Sequence, residues 1–388
     1  MENVGLNRAF WQGRRVLVTG HTGFKGGWLS LWLQAMGAKV SGFALPPPAT
    51  PSFFESCGVA NGMSSRFADL RDPVAVLAAT RAAGPEIVLH LAAQPLVRQS
   101  YVDPVATYAT NVMGTIHVLE AVRELPSVRA VVVVTSDKCY ENREWAWGYR
   151  ENEAMGGFDP YASSKGCVEL VTAAYRNSYF ASQRDAQAGV AIATARAGNV
   201  VGGGDFAADR LVPDCLRALD ADIPLKLRFP DAVRPWQHVL DPLAGYLVLA
   251  ERLYREGSSF AEAWNFGPAD DDARPVRWVV DELGKACGSP IAWETEPSPQ
   301  PHEAKSLRLD CSKARARLGW QARWPLKVAL AKIGAWHQAF TRGVDMREFT
   351  LAQIGEYEGA QDGACEIAEA GDRNVATAER RNSEAAAR

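Results

Sequence analysis

The run Tyr161-Ala162-Ser163-Ser164-Lys165 places a phenol and an amine four residues apart. On a helix that spacing puts both side chains on one face, one turn apart. A free tyrosine has a pKa of about 10, too high for a base at neutral pH. A neighbouring ammonium lowers it, which would let Tyr161 exchange a proton with a substrate hydroxyl. Tyr and Lys at this spacing also occur on ordinary exposed helices, so the pair alone is not diagnostic. A second cluster, Thr135-Ser136-Asp137-Lys138-Cys139-Tyr140, begins where a β-branched run ends. Hydroxyls followed by an adjacent acid and amine suit proton transfer; the plainer alternative is a strand end with a solvated Asp-Lys pair.

A third motif supplies a partner for these groups. Gly20-His21-Thr22-Gly23-Phe24-Lys25-Gly26 follows one strand pattern and opens a helical one. Gly20 permits a sharp turn, Gly23 admits a pyrophosphate to the backbone, and Gly26 lets helix and strand pack closely. The helix N-terminus adds free N–H donors and partial positive charge. A dinucleotide is implied, and its nicotinamide would add positive charge beside Tyr161. The end of the second strand, Ser41-Gly42-Phe43-Ala44-Leu45, has neither an acid for a ribose nor an Arg after it for a 2′-phosphate. NAD is therefore favoured over NADP, with its ribose lacking the usual carboxylate. Asp69-Leu70 is placed to meet the adenine, or else Asp69 caps the helix after it.

The elements that must position these groups alternate in type. Strands are predicted over 14–19, 38–43, 86–91, 130–135 and 190–197, with a short one from about Ser65. Helices are predicted over about 24–36, 103–123 and 161–180. Continuous apolar strands separated by helices specify an α/β fold, a Rossmann doubly wound parallel sheet covered on both faces. Active sites of such sheets lie beyond the strands' carboxyl ends, where Gly20 and Ser136 fall. Residues 1–200 form the NAD-binding part, to which segments near 235–270 return. Residues 201–358, opened by Val201-Gly202-Gly203-Gly204-Asp205 and rich in proline, read mainly as a smaller C-terminal substrate-binding lobe. From 359 to 388 aromatic residues are missing and charge is frequent, the pattern of a disordered tail.

Composition narrows the partners. Lys plus Arg number 42 against 45 Asp plus Glu, so no basic surface favours nucleic acid. The seven Cys form no CxxC pair, which argues for reduced thiols and against a zinc site or disulfide framework. No signal peptide or membrane-spanning apolar run is evident, so a cytoplasmic protein with no membrane partner and no metal is expected. The 12 Trp are scattered through the body of the chain.

The glycine loop together with YxxxK resembles the extended short-chain dehydrogenase/reductases, most of which act on nucleotide sugars. Gly20 to Gly26, Thr135 to Asn142, Trp147-Gly148-Tyr149-Arg150-Glu151, Gly157 to Cys167 and Arg234-Pro235-Trp236-Gln237-His238-Val239 resemble the 4,6-dehydratase branch, over residues 8 to 345. The resemblance implies NAD as cofactor, CDP-D-glucose as substrate and a homodimer paired through the helices near 103–123 and 161–180. It implies that C4 is oxidised while Tyr161 takes the hydroxyl proton, that water leaves across C5 and C6 with Asp137 as the acid, and that the hydride returns to C6. Thr135 would bond the C4 oxygen. Lys165 would also hold the nicotinamide ribose. Lys138 stands where relatives acting on dTDP-sugars carry a Glu base, and it is either a base of lowered pKa or an electrostatic stabiliser.

By the same carry-over Gly20, Thr22, Gly23, Phe24, Lys25, Gly26, Asp69, Leu70, Leu91, Ala92 and Ala93 meet the cofactor. Gln94, Asn199, Arg210, Arg234 and His238 meet the substrate, Arg234 as a diphosphate clamp, while Asn111 braces its helix against that region. A lone His such as His238 is more often structural, and Trp145 and Trp147 either border the pocket or anchor packing. Cys139 and Cys167 would be open to oxidative inactivation. An epimerase, or a dehydratase for another nucleotide sugar, shares most of these motifs, but an epimerase needs no acid at 137. A non-catalytic NAD-binding regulator would have no need of the Tyr-Lys pair.

Overall fold

Every side chain of Ala130-Val131-Val132-Val133-Val134 is buried in the computed structural model, which describes residues 6–180, 189–296 and 306–359. The run is apolar throughout because both of its faces are covered. Ala130, Val132 and Val134 belong to one core cluster, Val131 and Val133 to another. Burying each such valine contributes roughly 1.5–3 kcal/mol, which outweighs intrinsic strand propensity.

The strands in chain order are β1 (Arg15–Thr19), β2 (Lys39–Ala44), β3 (Met63–Phe67), β4 (Ile87–His90), β5 (Ala130–Val134), β6 (Ala191–Ala197), β7 (Asn199–Val201), β8 (Leu225–Leu227), β9 (Val233–His238), β10 (Ala263–Phe266), β11 (Ala273–Pro275) and β12 (Trp293–Thr295). Seven make a parallel sheet in the order β10-β6-β5-β4-β1-β2-β3. Its register aligns Gly42, Val18, Leu89, Val132 and Ala193 in one row. The strand order reverses between β1 and β4, which opens a crevice at their carboxyl ends.

Four helices matter for the site: α1 (Phe24–Ala35), α2 (Pro160–Tyr175), α3 (Leu240–Glu256) and α4 (Leu326–Thr341). α1 buries Trp28, Leu29, Leu31, Trp32 and Leu33. α2 starts at Pro160, with the Asp159 side chain accepting the Ala162 N–H, an N-cap that fixes where Tyr161 sits. Beyond β6 the chain builds a sheet of β11-β9-β7 and a β12-β8 pair around a third core cluster. It then returns, because β9 leads into α3, which packs on β5 and β6, and β10 extends the main sheet beside β6.

The segment 103–123 is interrupted. Helix Pro104–Tyr108 passes into a π turn at Ala109–Met113 before resuming as Gly114–Arg123. The π turn presents the buried Asn111, and such turns often serve functional sites. A helix over 346–359 buries Thr350, Ile354 and Tyr357. The expected tail lies, from residue 360, outside the described residues. Of the tryptophans, Trp11, Trp28, Trp32, Trp264 and Trp336 are fully buried, so much of the Trp excess serves packing.

Candidate active site

A cavity of about 1300 Å³ opens at the carboxyl ends of β1, β4 and β5, and its lining includes all but one of the predicted site residues. At one end lies the glycine loop. Gly20 has φ +78°, and a Cβ there would stand 2.8 Å from the Ala92 nitrogen. A Cβ on Gly26 would stand 2.1 Å from the Gly20 carbonyl oxygen, so strand and helix close only around hydrogen. Gly23 differs: its nearest neighbour would be the Gly20 oxygen at 3.4 Å, ordinary contact. Nothing in the protein requires glycine at 23, whereas a ligand approaching the backbone there would. Gly23 caps α1 without a side-chain hydrogen bond, leaving the helix N–H donors open to the cavity. These features fit a dinucleotide pyrophosphate.

Asp69 and Leu70 line the same end. Asp72, whose carboxylate accepts from Val74 and Ala75, is the cap of the following helix. Asp69 is therefore free of that duty and instead pairs with Arg71 at 2.6 Å, which holds its carboxyl below the usual range. Leu70 packs where a side chain on Gly114 would lie 2.5 Å away. Leu91, Ala92 and Ala93 form the floor after β4, and Phe24 lines the wall.

Two loop residues that line the cavity also bond within the protein. The Thr22 hydroxyl donates to the Leu45 carbonyl at 2.9 Å, tying the loop to the end of β2. Lys25 turns toward α3, donating from Nζ to the Tyr246 hydroxyl at 3.0 Å. Burial, with the charges of Lys165 and Arg210, lowers Lys25 to about 7, while Asp137 opposes the shift.

The reactive groups converge at the other end. Tyr161 and Lys165 are buried on α2, and Lys165 Nζ donates to the Val134 carbonyl at 3.2 Å. Burial lowers Lys165 to about 8. Among the protein's own groups, burial pushes Tyr161 up to about 12, Asp137 and Asp159 add to the rise, and a hydrogen bond with Ser136 and the charge of Arg210 oppose it, the direction in which a nicotinamide's positive charge would also act. Lost solvation of the phenolate outweighs the nearby cations.

Asp137 is 2% exposed on the turn Asp137–Cys139. One oxygen accepts from the Ser136 hydroxyl at 3.0 Å, and the other has no partner although buried. Burial raises its pKa against the pull of Lys138, the Ser136 hydrogen bond and Arg234. Lys138 is half-buried and donates its backbone N–H to Ser136. Thr135 lines the cavity, yet its hydroxyl donates to Glu169 Oε1 at 2.5 Å.

Among the substrate candidates, Asn199, Arg210 and Arg234 line the cavity. Arg210 pairs with Asp205 at 2.8 Å, and Arg234 is 4% exposed. Gln94 lines it too, but its amide is spent on Leu96 and Thr107, so it holds its own loop. Asn111 braces that loop as expected, bonding both the N–H and the carbonyl of Gln94 and also Ser164.

His238 is the exception to the lining. Its ring is wholly buried between Trp28 and Trp324, with Nδ1 accepting from the Leu240 N–H and burial lowering it to about 3. It is a neutral packing residue. Trp145 and Trp147 pack against each other at a 37° tilt outside this cavity, and Trp145 stacks on Tyr149. Cys139 is fully buried with its thiol pushed well up by burial, which removes it as a readily oxidised group. Sequence reasoning gave no role to Glu169, Arg196 or Tyr246, and Ser136 only a place among the strand-end hydroxyls; for Glu169 the i+4 step from Lys165 was the available signal.

A parallel sheet of this order, with a glycine loop at its switch point and a Tyr-Lys pair across the crevice, defines a Rossmann-fold short-chain dehydrogenase/reductase. Within that class the chain belongs to the GDP-mannose 4,6 dehydratase family, whose model matches residues 17–333. It is 53% identical to the CDP-glucose 4,6-dehydratase of Salmonella typhimurium over 92% of this chain and 99% of that one. Its fold is similar to that of a UDP-glucose-4-epimerase from Stenotrophomonas maltophila with bound NAD, at TM-score 0.72 and 22% identity, covering 85% of this chain and 100% of the other. It is also similar to that of dTDP-glucose 4,6-dehydratase from Bacillus anthracis in complex with NAD, at TM-score 0.69 and 19% identity, covering 86% and 99%.

Proposed function

We propose that this chain is an NAD-dependent 4,6-dehydratase that converts CDP-D-glucose to CDP-4-dehydro-6-deoxy-D-glucose and water, a step of deoxysugar biosynthesis. The observation that carries this reading is a buried acid with an orphaned oxygen, Asp137, sharing one cavity with Tyr161 and Lys165 in a chain 53% identical to such an enzyme. Bound NAD would supply the hydride acceptor for oxidation at C4 and the donor of the same hydride at C6.

The chain's own groups do the rest. Gly20, Gly23, Gly26 and the start of α1 would hold the pyrophosphate, Asp69 and Leu70 the adenosine end, and Lys165 the nicotinamide ribose. Tyr161 takes the C4 hydroxyl proton, and Ser136, Lys165 and Arg210 stabilise its phenolate. Once C4 is a ketone, the C5 proton is acidic. Asp137, whose proton affinity burial raises, gives its proton to the departing C6 hydroxyl. Lys138, next to Asp137 in the cavity lining, is the group for C5, either as the base that removes its proton and returns it after hydride transfer or as an electrostatic stabiliser of the enolate. Arg210, Arg234 and Asn199 hold the diphosphate, within a lobe formed mainly by 201–358.

Purified protein with CDP-glucose is expected to form the 4-keto-6-deoxy sugar without net NADH, carrying deuterium from C4 to C6. Accumulated NADH, or product from dTDP-glucose alone, overturns the reading. Return of the deuterium to C4 identifies an epimerase. Lys138→Met should oxidise C4 transiently but stop solvent exchange at C5 if Lys138 is the base, and retained exchange leaves it the stabilising role.

Among the described residues no helix is long and apolar enough to cross a membrane, and no group of His, Cys, Asp or Glu is placed to hold a metal. We place the enzyme in the cytoplasm as a homodimer. Val102, Val105, Met113, Leu170 and Tyr179 are exposed on the helical segments 97–123 and 160–180, an apolar face suited to a second copy. Light scattering should give twice the chain mass, and Leu170→Glu should halve it.

A further inference from the structure

Glu169 stands one turn past Lys165 on α2, 5% exposed. Four donors converge on its carboxylate. Thr135 Oγ1 at 2.5 Å and Arg196 Nε at 2.9 Å meet Oε1, and Thr194 Oγ1 at 2.7 Å and Arg196 Nη2 at 2.8 Å meet Oε2. Arg196 is itself seated, donating to the Tyr140 hydroxyl at 2.7 Å and lying 4.9 Å from that ring's centre. Burying an ion pair is a poor route to stability, since apolar residues of the same volume usually do as well. The placement needs another reason, and the reactive residues on either side supply one.

We propose that Glu169 is a positioning residue of the reaction: it takes the single proton of Thr135, so that this hydroxyl meets the sugar only as an acceptor, and it holds Lys165 in its ammonium form. This rests on the dehydratase reading above. A hydroxyl has one proton and two lone pairs. Burial pushes the Glu169 carboxyl up, but Arg196, Thr135 and Thr194 hold it below the usual carboxylate range. An ionised carboxylate only accepts, so the Thr135 proton is committed away from the cavity. Thr135 then accepts from a sugar hydroxyl, and the donor to the C4 ketone is Tyr161, which has just received the proton. This narrows the expectation that Thr135 bonds the C4 oxygen to the acceptor's part of that bond.

The second half concerns charge. Lys165 is faced by Tyr161 and Glu169 from its own helix, by Cys139 from the segment after β5, by His90 from β4 and by Lys25 from α1. Burial presses its ammonium toward the neutral form, and Glu169 is the first group opposing this. Losing that carboxylate lets Lys165 discharge at lower pH.

Two substitutions separate the two roles. Glu169→Asp keeps the charge but shortens the reach to Thr135; kcat should fall about tenfold with the alkaline limb of the kcat/KM profile unmoved. Glu169→Gln keeps the shape but loses the charge; the alkaline limb should drop by about one pH unit. The affinity for NAD, titrated calorimetrically without sugar, should weaken over the same lowered range. If Glu169→Gln alone does not fold, Glu169→Gln with Arg196→Met removes the orphaned guanidinium and should show the same shift. An alkaline limb and NAD profile at wild-type pH in a folded charge-neutral variant overturn the charge role, and wild-type kcat in Glu169→Asp overturns the Thr135 role. If wild type turns over no CDP-glucose, the functional reading fails by itself, and the NAD profile still tests Glu169.

Discussion

The two ends of the cavity are held in different ways. The cofactor end is shaped by backbone: Gly20 at positive φ, Gly26 against the Gly20 carbonyl, and an uncapped helix N-terminus. The chemical end is shaped by buried, mutually dependent side chains: Ser136 on Asp137, Glu169 under Thr135, and Tyr246 accepting from Lys25. Backbone cradles depend on residues a few positions apart. Charged networks depend on groups brought together from four or five elements, and each member alters the proton affinity of the next. Damage at the first end should therefore appear as weakened binding, and damage at the second as lost turnover with binding retained.

The sharpest test of this division is Tyr161→Phe. It leaves the glycine loop untouched, so NAD affinity should stay within about threefold while kcat falls by about 10²–10⁴. A comparable loss of NAD affinity would merge the two ends into one unit. Next is Asp137→Asn. C4 oxidation should persist, giving transient NADH, while elimination slows by about 10²-fold or more. Because the Asp137 pKa is raised, wild-type elimination should decline as pH rises through that value, when the acid loses its proton. The Asn variant should lose this dependence, and a retained alkaline decline in elimination would assign the acid elsewhere.

The same contrast explains what could be read from the chain alone. β1, α1 and the loop between them were legible because glycine spacing and apolar runs report local geometry. Tyr161, Lys165 and Asp137 were legible as types at a strand end or at helical spacing. The protein's own effect on Tyr161 was not, since it depends on burial and on Asp159 and Arg210, which sequence does not place in space. Arg196 lies within the apolar-looking run of β6, where nothing local marks it as the partner of Glu169. His238 misled for the opposite reason. It stands between the cavity-lining Trp236 and the start of α3, where the chain turns away from the cavity and into the core.

A smaller effect probes the backbone end in isolation. At Gly23 the φ of −80° suits any residue, and an added Cβ meets only the Gly20 oxygen at 3.4 Å. Gly23→Ala should thus leave thermal stability within about 0.5 kcal/mol. If Gly23 is small because a pyrophosphate approaches it, the methyl group should still weaken NAD binding about tenfold, with a kcat at saturating NAD close to wild type. Gly26→Ala is the counterpart, because its Cβ would meet backbone at 2.1 Å and lower stability as well as affinity.

The smallest expected change lies outside both ends. His238 is neutral, enclosed by Trp28 and Trp324, and its Nε2 has no hydrogen-bond partner. Its one recorded bond is Nδ1 accepting from the Leu240 N–H at 3.3 Å, a long contact at the start of α3. His238→Phe keeps the ring and removes an unsatisfied buried nitrogen, at the cost of leaving one backbone donor unpaired. Those terms are each about 1–3 kcal/mol and opposite in sign, so the net shift in stability should be about 1 kcal/mol or less. Since the ring does not reach the cavity, the KM for CDP-glucose should stay within about twofold of wild type. A tenfold rise in that KM with stability unchanged would return His238 to the substrate and extend the charged end of the cavity past β9.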